Sequence, residues 1–294
     1  MHNRAHILTT TALVLVLSLT LMPAPSAHAG SAIRVTPSGV TSGACGDSWK
    51  NACNLLHALN SVATAGDELW VAEGVYKPTA STTDQTAYIP LKAGVAIYGG
   101  FAATETDRSQ RDPDAHVTIF SGDIDGNDSQ SPIATDAYSL TGYDTNSYHV
   151  VAGAVSGVTL DGLTITGGYG PCGCPYGWNA QYGGGLYTQG SLTINDVVFS
   201  GNRAFYGGAL RTTAPLTITN STFTGNYATS TGGGLSNGGL GTTVTGVTFS
   251  NNRATYDGAG AANNITYAGE ASGSLILEDV AFTDNYAGTN AGGL

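Results

Sequence analysis

"FSGNRAFYGGAL", residues Phe199–Leu210, decides the fold, because it returns along the second half of the chain as "FTGNYATSTGGGL", "FSNNRATYDGAGA" and "FTDNYAGTNAGGL". The strings "LDGLTITGG" (160–168), "INDVVFSGN" (194–202), "ITNSTFTGN" (218–226), "VTGVTFSNN" (244–252) and "LEDVAFTDN" (277–285) align without gaps, and the last four follow one another at steps of 24, 26 and 33 residues. Each unit alternates apolar and polar residues and is rich in Thr, Val, Ile and Phe, which disfavours helical repeats and reads as one winding of a β-solenoid. Equivalent residues of stacked windings lie about 4.8 Å apart, the strand spacing of any sheet. Phe199, Phe223, Phe249 and Phe282, with Ile165 in the first winding, are then expected as an internal column, and Asn202, Asn226, Asn252 and Asn285 as a second column at a bend. Asn tolerates the left-handed conformation, and its amide both donates and accepts across neighbouring windings. The glycines at 183–185, 207–208, 232–234 and 292–293 mark a second corner, where a missing Cβ lets the backbone bend.

Composition agrees. Of 294 residues 42 are Gly and only 11% are charged, far from the roughly 25% of an ordinary enzyme. No three-residue Gly period is present, so collagen is excluded. The expected fold is an all-β, right-handed, single-stranded parallel β-helix with a short N-terminal capping helix. Residues 1–29 read as a signal peptide: Arg4, the apolar run "ILTTTALVLVLSLTLM" and the small-x-small site Ala27-His28-Ala29. Export would leave a chain with 9 basic and 21 acidic residues, net −12, which has little attraction for nucleic acid. Nothing after Ala29 is long and apolar enough to span a membrane. A secreted or cell-surface location follows, and four cysteines fit it. They allow three connectivities; Cys45 to Cys53 is the preferred single bridge, because a Cys172–Cys174 bridge closes a very tight ring. Zinc at Cys172 and Cys174 lacks further ligands, since no histidine follows His149.

Residues 30–150 do not repeat and are expected to hold the cap and the first windings, with 151–294 the repeat region. "DSWKNACNLLHALNSVATAGD" offers Asp47 or Ser48 as a helix cap, Leu55, Leu56 and Leu59 as an apolar face and Gly66 as a stop. "ELWVAEGVYKP" and "IPLKAGVAIYGGF" then alternate as strands do. The helix would cover the open end of the solenoid. Ending on "AGGL", at the start of a further winding, the chain reads as a fragment of a longer product.

Four F-x-x-N units, each followed by G-G-x-L or a variant, resemble the polymorphic outer membrane protein repeats, named for GGA[I/L/V] and FxxN. Here the first motif stands as "GGAL" at 207–210 and "GGGL" at 183–186 and 232–235, and one unit departs to "DGAGA". "GDELWVAEGVYKP", "GVAIYGGF" and "TIFSGDIDGND" look like the opening of secreted bacterial β-helix proteins of the pectin-lyase-like superfamily. The two resemblances together span most of 30–294. They imply the fold strongly and an activity poorly.

That superfamily contains polysaccharide lyases and hydrolases, whose chemistry needs clustered acids and a base. From 151 onward the only bases are Arg203, Arg211 and Arg253, and Asp161, Asp196, Asp257, Asp279 and Asp284 lie scattered over turn positions. No catalytic residue is assigned. The expected role is an adhesive or carbohydrate-contacting scaffold, with a lyase or hydrolase as the alternative and a polysaccharide or a host or cell-surface protein as partner. Arg203, Tyr227, Arg253 and Tyr286 follow the four asparagines as an alternating column suited to stacking on sugars, or else to shielding a corner and pairing with Asp257 or Asp284. No cofactor is required; calcium is the one candidate. "DIDGND" offers it oxygens from Asp123, Asp125 and Asn127, with Asp128 as an extra carboxylate, although the spacing departs from an EF-hand loop and suits an ordinary turn equally. Asn220 and Asn264 begin glycosylation sequons.

Overall fold

The computed structural model describes residues 30–171, 178–239, 241–263 and 273–294. The expected signal peptide 1–29, Cys172, Cys174 and Asn264 lie outside them. The strands gather into three sheets of 13, 6 and 5, in which successive neighbours come from successive windings. The first sheet runs from Ala32–Val40 to Leu275–Glu278, the second from Ile89–Pro90 to Ala261–Asn263, the third from Tyr169–Gly170 to Tyr286–Ala287. Every pairing between these strands is parallel, as in Val158–Thr166 against Leu192–Ser200 and that strand against Leu216–Thr219. The chain is therefore a parallel β-helix, with the right-handed winding that parallel crossovers nearly always take.

The aligned units stack in the expected register. Ile165 pairs with Phe199, Phe199 with Phe223, Phe223 with Phe249 and Phe249 with Phe282. The four rings are stacked, with centroids 4.7, 4.7 and 5.0 Å apart. Phe199, Phe223 and Phe249 are fully buried. The column continues into the non-repeating section, where Phe120 pairs with Ile165 and Tyr76 with Phe120. One contiguous core extends from Ile33 to Ala261.

The asparagine column is a hydrogen-bond ladder. Asn202 Nδ2 donates to Asn226 Oδ1 (3.1 Å), Asn226 Nδ2 to Asn252 Oδ1 (2.9 Å) and Asn252 Nδ2 to Asn285 Oδ1 (3.0 Å). Each Oδ1 also accepts the backbone N–H of the asparagine one winding earlier. Each Nδ2 donates as well to the carbonyl of the preceding winding's Ile165 or Phe. The bend itself is made one residue earlier than the sequence suggested. The left-handed residues are Gly167, Gly201, Gly225, Asn251 and Asp284. Asn202 and its equivalents are thereby freed to point inward and satisfy the carbonyls that the bend exposes. A second left-handed column, Gly162, Asp196, Asn220, Gly246 and Asp279, bends the first sheet. The glycine corner is confirmed at Gly183, Gly207 and Gly232, all with positive φ; the next winding adds Gly258, and in the last the left-handed residue is Ala291 rather than Gly292 or Gly293.

At the N-terminal end one α turn, Leu55–His57, continues as a π turn, Ala58–Val62. Leu55, Ala58 and Leu59 are buried in the core beside Ile33 and Val35 of the edge strand, so the expected cap is present. Its N-cap is Asn54, whose side chain accepts the Leu56 N–H, and not Asp47 or Ser48. Asp47 instead accepts from the Asn51 amide beside the short turn Trp49–Asn51. The disulfide Cys45–Cys53, with Cα atoms 5.2 Å apart, fastens the loop between the edge strand and the helix. Such a bridge fits an oxidising compartment. Among the described residues no helix is long and apolar enough to cross a membrane.

Candidate functional site

The residue after each ladder asparagine points outward and builds a second column on the third sheet. Its register reads Tyr169, Arg203, Tyr227, Arg253, Tyr286, one per winding. The loop 122–148 lays two more tyrosines over it. Tyr143 meets Tyr169 edge-on at 4.9 Å, and Tyr138 meets Tyr227 at 5.4 Å. The Arg203 guanidinium lies 4.5 Å from the centroid of Tyr143 and 4.8 Å from that of Tyr227; Arg253 lies 4.6 Å from Tyr138 and 5.8 Å from Tyr286. Such stacking contributes about 0.5–1 kcal/mol per contact at exposed sites. Among the described residues neither arginine forms an ion pair. The expected pairing with Asp257 or Asp284 is replaced: Asp257 accepts from Thr289 Oγ1 (2.7 Å) and Asn290 Nδ2 (2.9 Å), and Asp284 occupies a left-handed bend. Tyr138, Tyr227, Arg253, Thr255, Tyr286 and Gly288 line a cleft of about 210 Å³. Tyr138 and Tyr286 are 58% and 61% exposed, leaving ring surface in water.

The loop that carries Tyr138 is held by the windings beneath it. Ala137 N–H donates to Gly225 O, and the Ser200 hydroxyl donates to Ala134 O. A Cβ on Gly225 would sit 1.8 Å from Thr135 O, so only glycine serves where the loop crosses. Beyond the crossing the same column holds Asn251 and Asp284.

On the outer face of the first sheet, Arg111 forms an ion pair with Asp161 and donates to Gly99 O (3.1 Å). Asp161 Oδ2 accepts from Asn195 Nδ2 (3.0 Å). Asp196, one winding further and adjacent in register, has its carboxyl raised above the usual range, by desolvation first and then by the charge of Asp161. Asp196 and Asp279 sit at left-handed turns, as turn chemistry requires, whereas Asp161 does not. The sequon residue Asn220 is also left-handed, and its Nδ2 donates to Asn195 Oδ1.

In the 123–128 loop, Asp123 Oδ1 accepts the backbone N–H groups of Gly126 (2.7 Å) and Asn127 (3.1 Å), closing a turn. Asp125 Oδ2 accepts from Asn127 Nδ2 (2.8 Å). Asp128 is buried, its Oδ2 accepts from Asn146 Nδ2 (2.8 Å), and burial pushes its pKa up to about 6. Asp125 Oδ1, Asp128 Oδ1 and Asn146 Oδ1 are buried acceptors without a donor. Among the described residues no three His, Cys, Asp or Glu side chains are grouped to hold a metal ion.

Tyr138, Tyr143 and Arg111 were not singled out by the sequence reading. All three come from the non-repeating section and reach partners in the later windings, 50 residues on in the case of Arg111 and Asp161, a separation no periodicity reports.

No family model and no curated protein sequence matches this chain. Among solved structures, the crystal structure of Escherichia coli YbhC is similar over 92% of this chain and 75% of its own, with 16% identity and a TM-score of 0.41. Pectin methylesterase PemA from Erwinia chrysanthemi is similar over 86% of this chain and 80% of its own, with 11% identity and a TM-score of 0.33.

Proposed function

We propose that this chain is an exported β-helix scaffold, of the surface-repeat kind its GGAL and F-x-x-N units resemble, that docks a polysaccharide along its tyrosine–arginine column and performs no chemistry on it. The observation that carries the reading is the unpaired state of Arg203 and Arg253 between tyrosine rings. In an acidic chain, two cations with no carboxylate partner among the described residues stand ready for ligand hydroxyl or anionic oxygens. The exposed faces of Tyr138 and Tyr286 supply apolar area with a polar edge. A saccharide chain laid along the axis meets an aromatic ring every second winding, about 10 Å. Affinity electrophoresis against a panel of neutral and acidic polysaccharides tests this. Retardation by at least one of them, weakened about tenfold in Tyr138→Ala and Arg253→Gln, is expected. Migration unaffected by every polysaccharide ends the proposal.

A second reading, a lyase or hydrolase acting on a polysaccharide, draws on the first-sheet face. Two acids on adjacent windings in unlike settings, Asp161 ion-paired with Arg111 and Asp196 shifted toward its neutral form, are what acid–base catalysis uses. Incubation with polygalacturonate, with and without calcium, while following ultraviolet absorbance and reducing ends, decides it. Turnover abolished by Asp196→Asn would replace the scaffold reading. For the 123–128 loop, calcium at Asp125 and Asp128 remains a proposal supported by their donorless oxygens. A saturable rise in melting temperature with calcium, lost in Asp125→Asn, supports it, and an unchanged melting temperature removes it.

A further inference from the structure

The second sheet carries an arginine of a different kind. Its outward column reads Ala152, Tyr187, Arg211, Ser236, Ala262 across five windings. Where Arg203 and Arg253 are half-buried, Arg211 is only 5% exposed. Tyr182, Tyr187 and Tyr206 enclose it: the first two rings lie 5.6 Å apart, Tyr182 and Tyr206 lie 5.7 Å apart, and the guanidinium carbon is 5.6 Å from the Tyr182 centroid. His149 stacks on Tyr187 at 5.6 Å. Of the guanidinium's N–H donors, Nη1 reaches Ser236 Oγ (2.6 Å), and Nε is buried with no acceptor among the described residues. No carboxylate pairs with Arg211 among the described residues.

A guanidinium does not shed its charge in a protein, so burial here leaves a cation that one hydroxyl and one ring face do not compensate. Tyr187 does not neutralise it either: desolvation raises its pKa and keeps the hydroxyl protonated. Burial likewise pulls the Arg211 pKa below its usual range. An anion presenting two oxygens to the guanidinium fork would compensate it, the geometry that carboxylate, sulfate and phosphate groups share.

We infer that Arg211, walled by Tyr182, Tyr187 and Tyr206, forms a binding pocket for a single oxyanion group. It is separate from the tyrosine–arginine column and does not depend on that column binding anything. The tyrosine rings around the guanidinium strengthen each bond it makes by keeping water out. A fork-shaped donor set in a narrow pocket selects a compact planar or tetrahedral oxyanion over chloride.

The test titrates the purified protein at constant ionic strength with sodium sulfate, phosphate and acetate against chloride. The Arg211 Nε–H resonance and tyrosine fluorescence are followed. A saturable shift with at least one oxyanion and none with chloride is expected, with affinity at least tenfold weaker in Arg211→Gln and intermediate in Arg211→Lys, which keeps a charge and loses the fork. Sulfate also stabilises proteins by exclusion from their surfaces, but that effect does not saturate and does not depend on Arg211. Glucuronate and glucose 6-sulfate form a second arm. Saturation by these alone assigns the oxyanion to a saccharide, and saturation by the free ions assigns it to solution. A wild-type resonance that moves with none of the probes, or shifts that persist undiminished in Arg211→Gln, overturns the pocket. Should Arg211→Gln fail to fold, the wild-type resonance still decides.

Discussion

Asn202 and Arg203 are neighbours in the chain, yet the two columns they start obey opposite rules. Inward, the asparagine is repeated unchanged through Asn226, Asn252 and Asn285; outward, arginine and tyrosine alternate from Tyr169 to Tyr286. The difference follows from what each residue offers its copy one winding away. An amide carries a donor and an acceptor on one group, so identical amides stacked about 4.8 Å apart satisfy each other. A guanidinium carries donors and a positive charge, so its own copy is the worst neighbour and a tyrosine face a good one. Repetition inside and alternation outside are one requirement, that stacked positions be complementary, met by two kinds of side chain.

The sharpest way to break the comparison is Asn226→Asp, which keeps the shape and removes the donor. The new carboxylate would face Phe199 O and Asn252 Oδ1, acceptors that the Asn226 amide now serves at 3.0 and 2.9 Å. In a fully buried position this costs about 3–5 kcal/mol, from an unmet acceptor on each side and a desolvated acid. Urea denaturation measures it. A loss below about 1 kcal/mol would mean that the ladder is incidental to stability.

Next comes the place where the loop from the non-repeating section crosses the windings. Gly225→Ala puts a Cβ 1.8 Å from Thr135 O at φ 60°, an expected cost of about 2–3 kcal/mol. Because Thr135 belongs to the loop that seats Tyr138, polysaccharide retardation should fall with it. At the equivalent Asn251, which the loop does not reach, Asn251→Ala should cost less, about 1 kcal/mol, and leave the column's tyrosines in place. Equal losses at both positions would remove the loop from the explanation.

How much of this was legible depended on repetition. The Phe column, the Asn column and the glycine corner at Gly183, Gly207 and Gly232 are legible because each winding states them again, and four imperfect copies outweigh one lapse such as "DGAGA"; in the last copy the positive φ falls on Ala291, not on Gly292 or Gly293. The left-handed bend was placed one residue late for the same reason: in the repeated pairs Gly201-Asn202 and Gly225-Asn226 both residues tolerate positive φ, and only backbone geometry separates them. Asp161 looked like a turn residue until Arg111, from the non-repeating section, was found against it. Tyr138 and Tyr143 had no periodic counterpart to give them a register. Arg211 was visible only as one of three bases, because burial of an outward-facing side chain depends on what lies over it.

Acidity tests the loop from another direction. Asp128 is pushed up to about 6, chiefly by burial and then, against the Asn146 hydrogen bond, by the charges of Asp123 and Asp125, with Lys77 opposing. A raised carboxyl penalises the folded state above pH 6, and the penalty fades as pH falls from 6 toward the unfolded value of 3.8. In calcium-free buffer the protein should therefore gain about 1–2 kcal/mol between pH 7 and pH 4.5, after allowance for screening by solvent near the loop. Below that range stability turns down. At Asp67 burial raises the pKa, but hydrogen bonds from Thr64 and Ser31 reverse it to a net lowering, so its contribution is lost as pH drops through the folded value. In Asp128→Asn the gain between pH 7 and 4.5 should shrink to the part contributed by Asp196, whose carboxyl is also raised, and vanish when Asp196→Asn is added. An undiminished gain in Asp128→Asn would place the titrating group elsewhere.

The smallest effect probes the outer rule itself. Tyr227→Arg would set three arginines, 203, 227 and 253, on consecutive windings. Two unit charges about 5 Å apart repel by about 0.8 kcal/mol in water, and long flexible side chains turn outward to reduce it. The variant should thus fold, lose less than about 1 kcal/mol in low salt, and recover most of that in 1 M salt, where screening acts within about 3 Å. A control, Arg203→Tyr, removes a cation without creating like-charge contacts and should show no salt-dependent loss. If both variants respond to salt alike, charge alternation does not order the column. Burial of the ring edges would then explain it, and the contrast with the asparagine ladder would reduce to inside against outside.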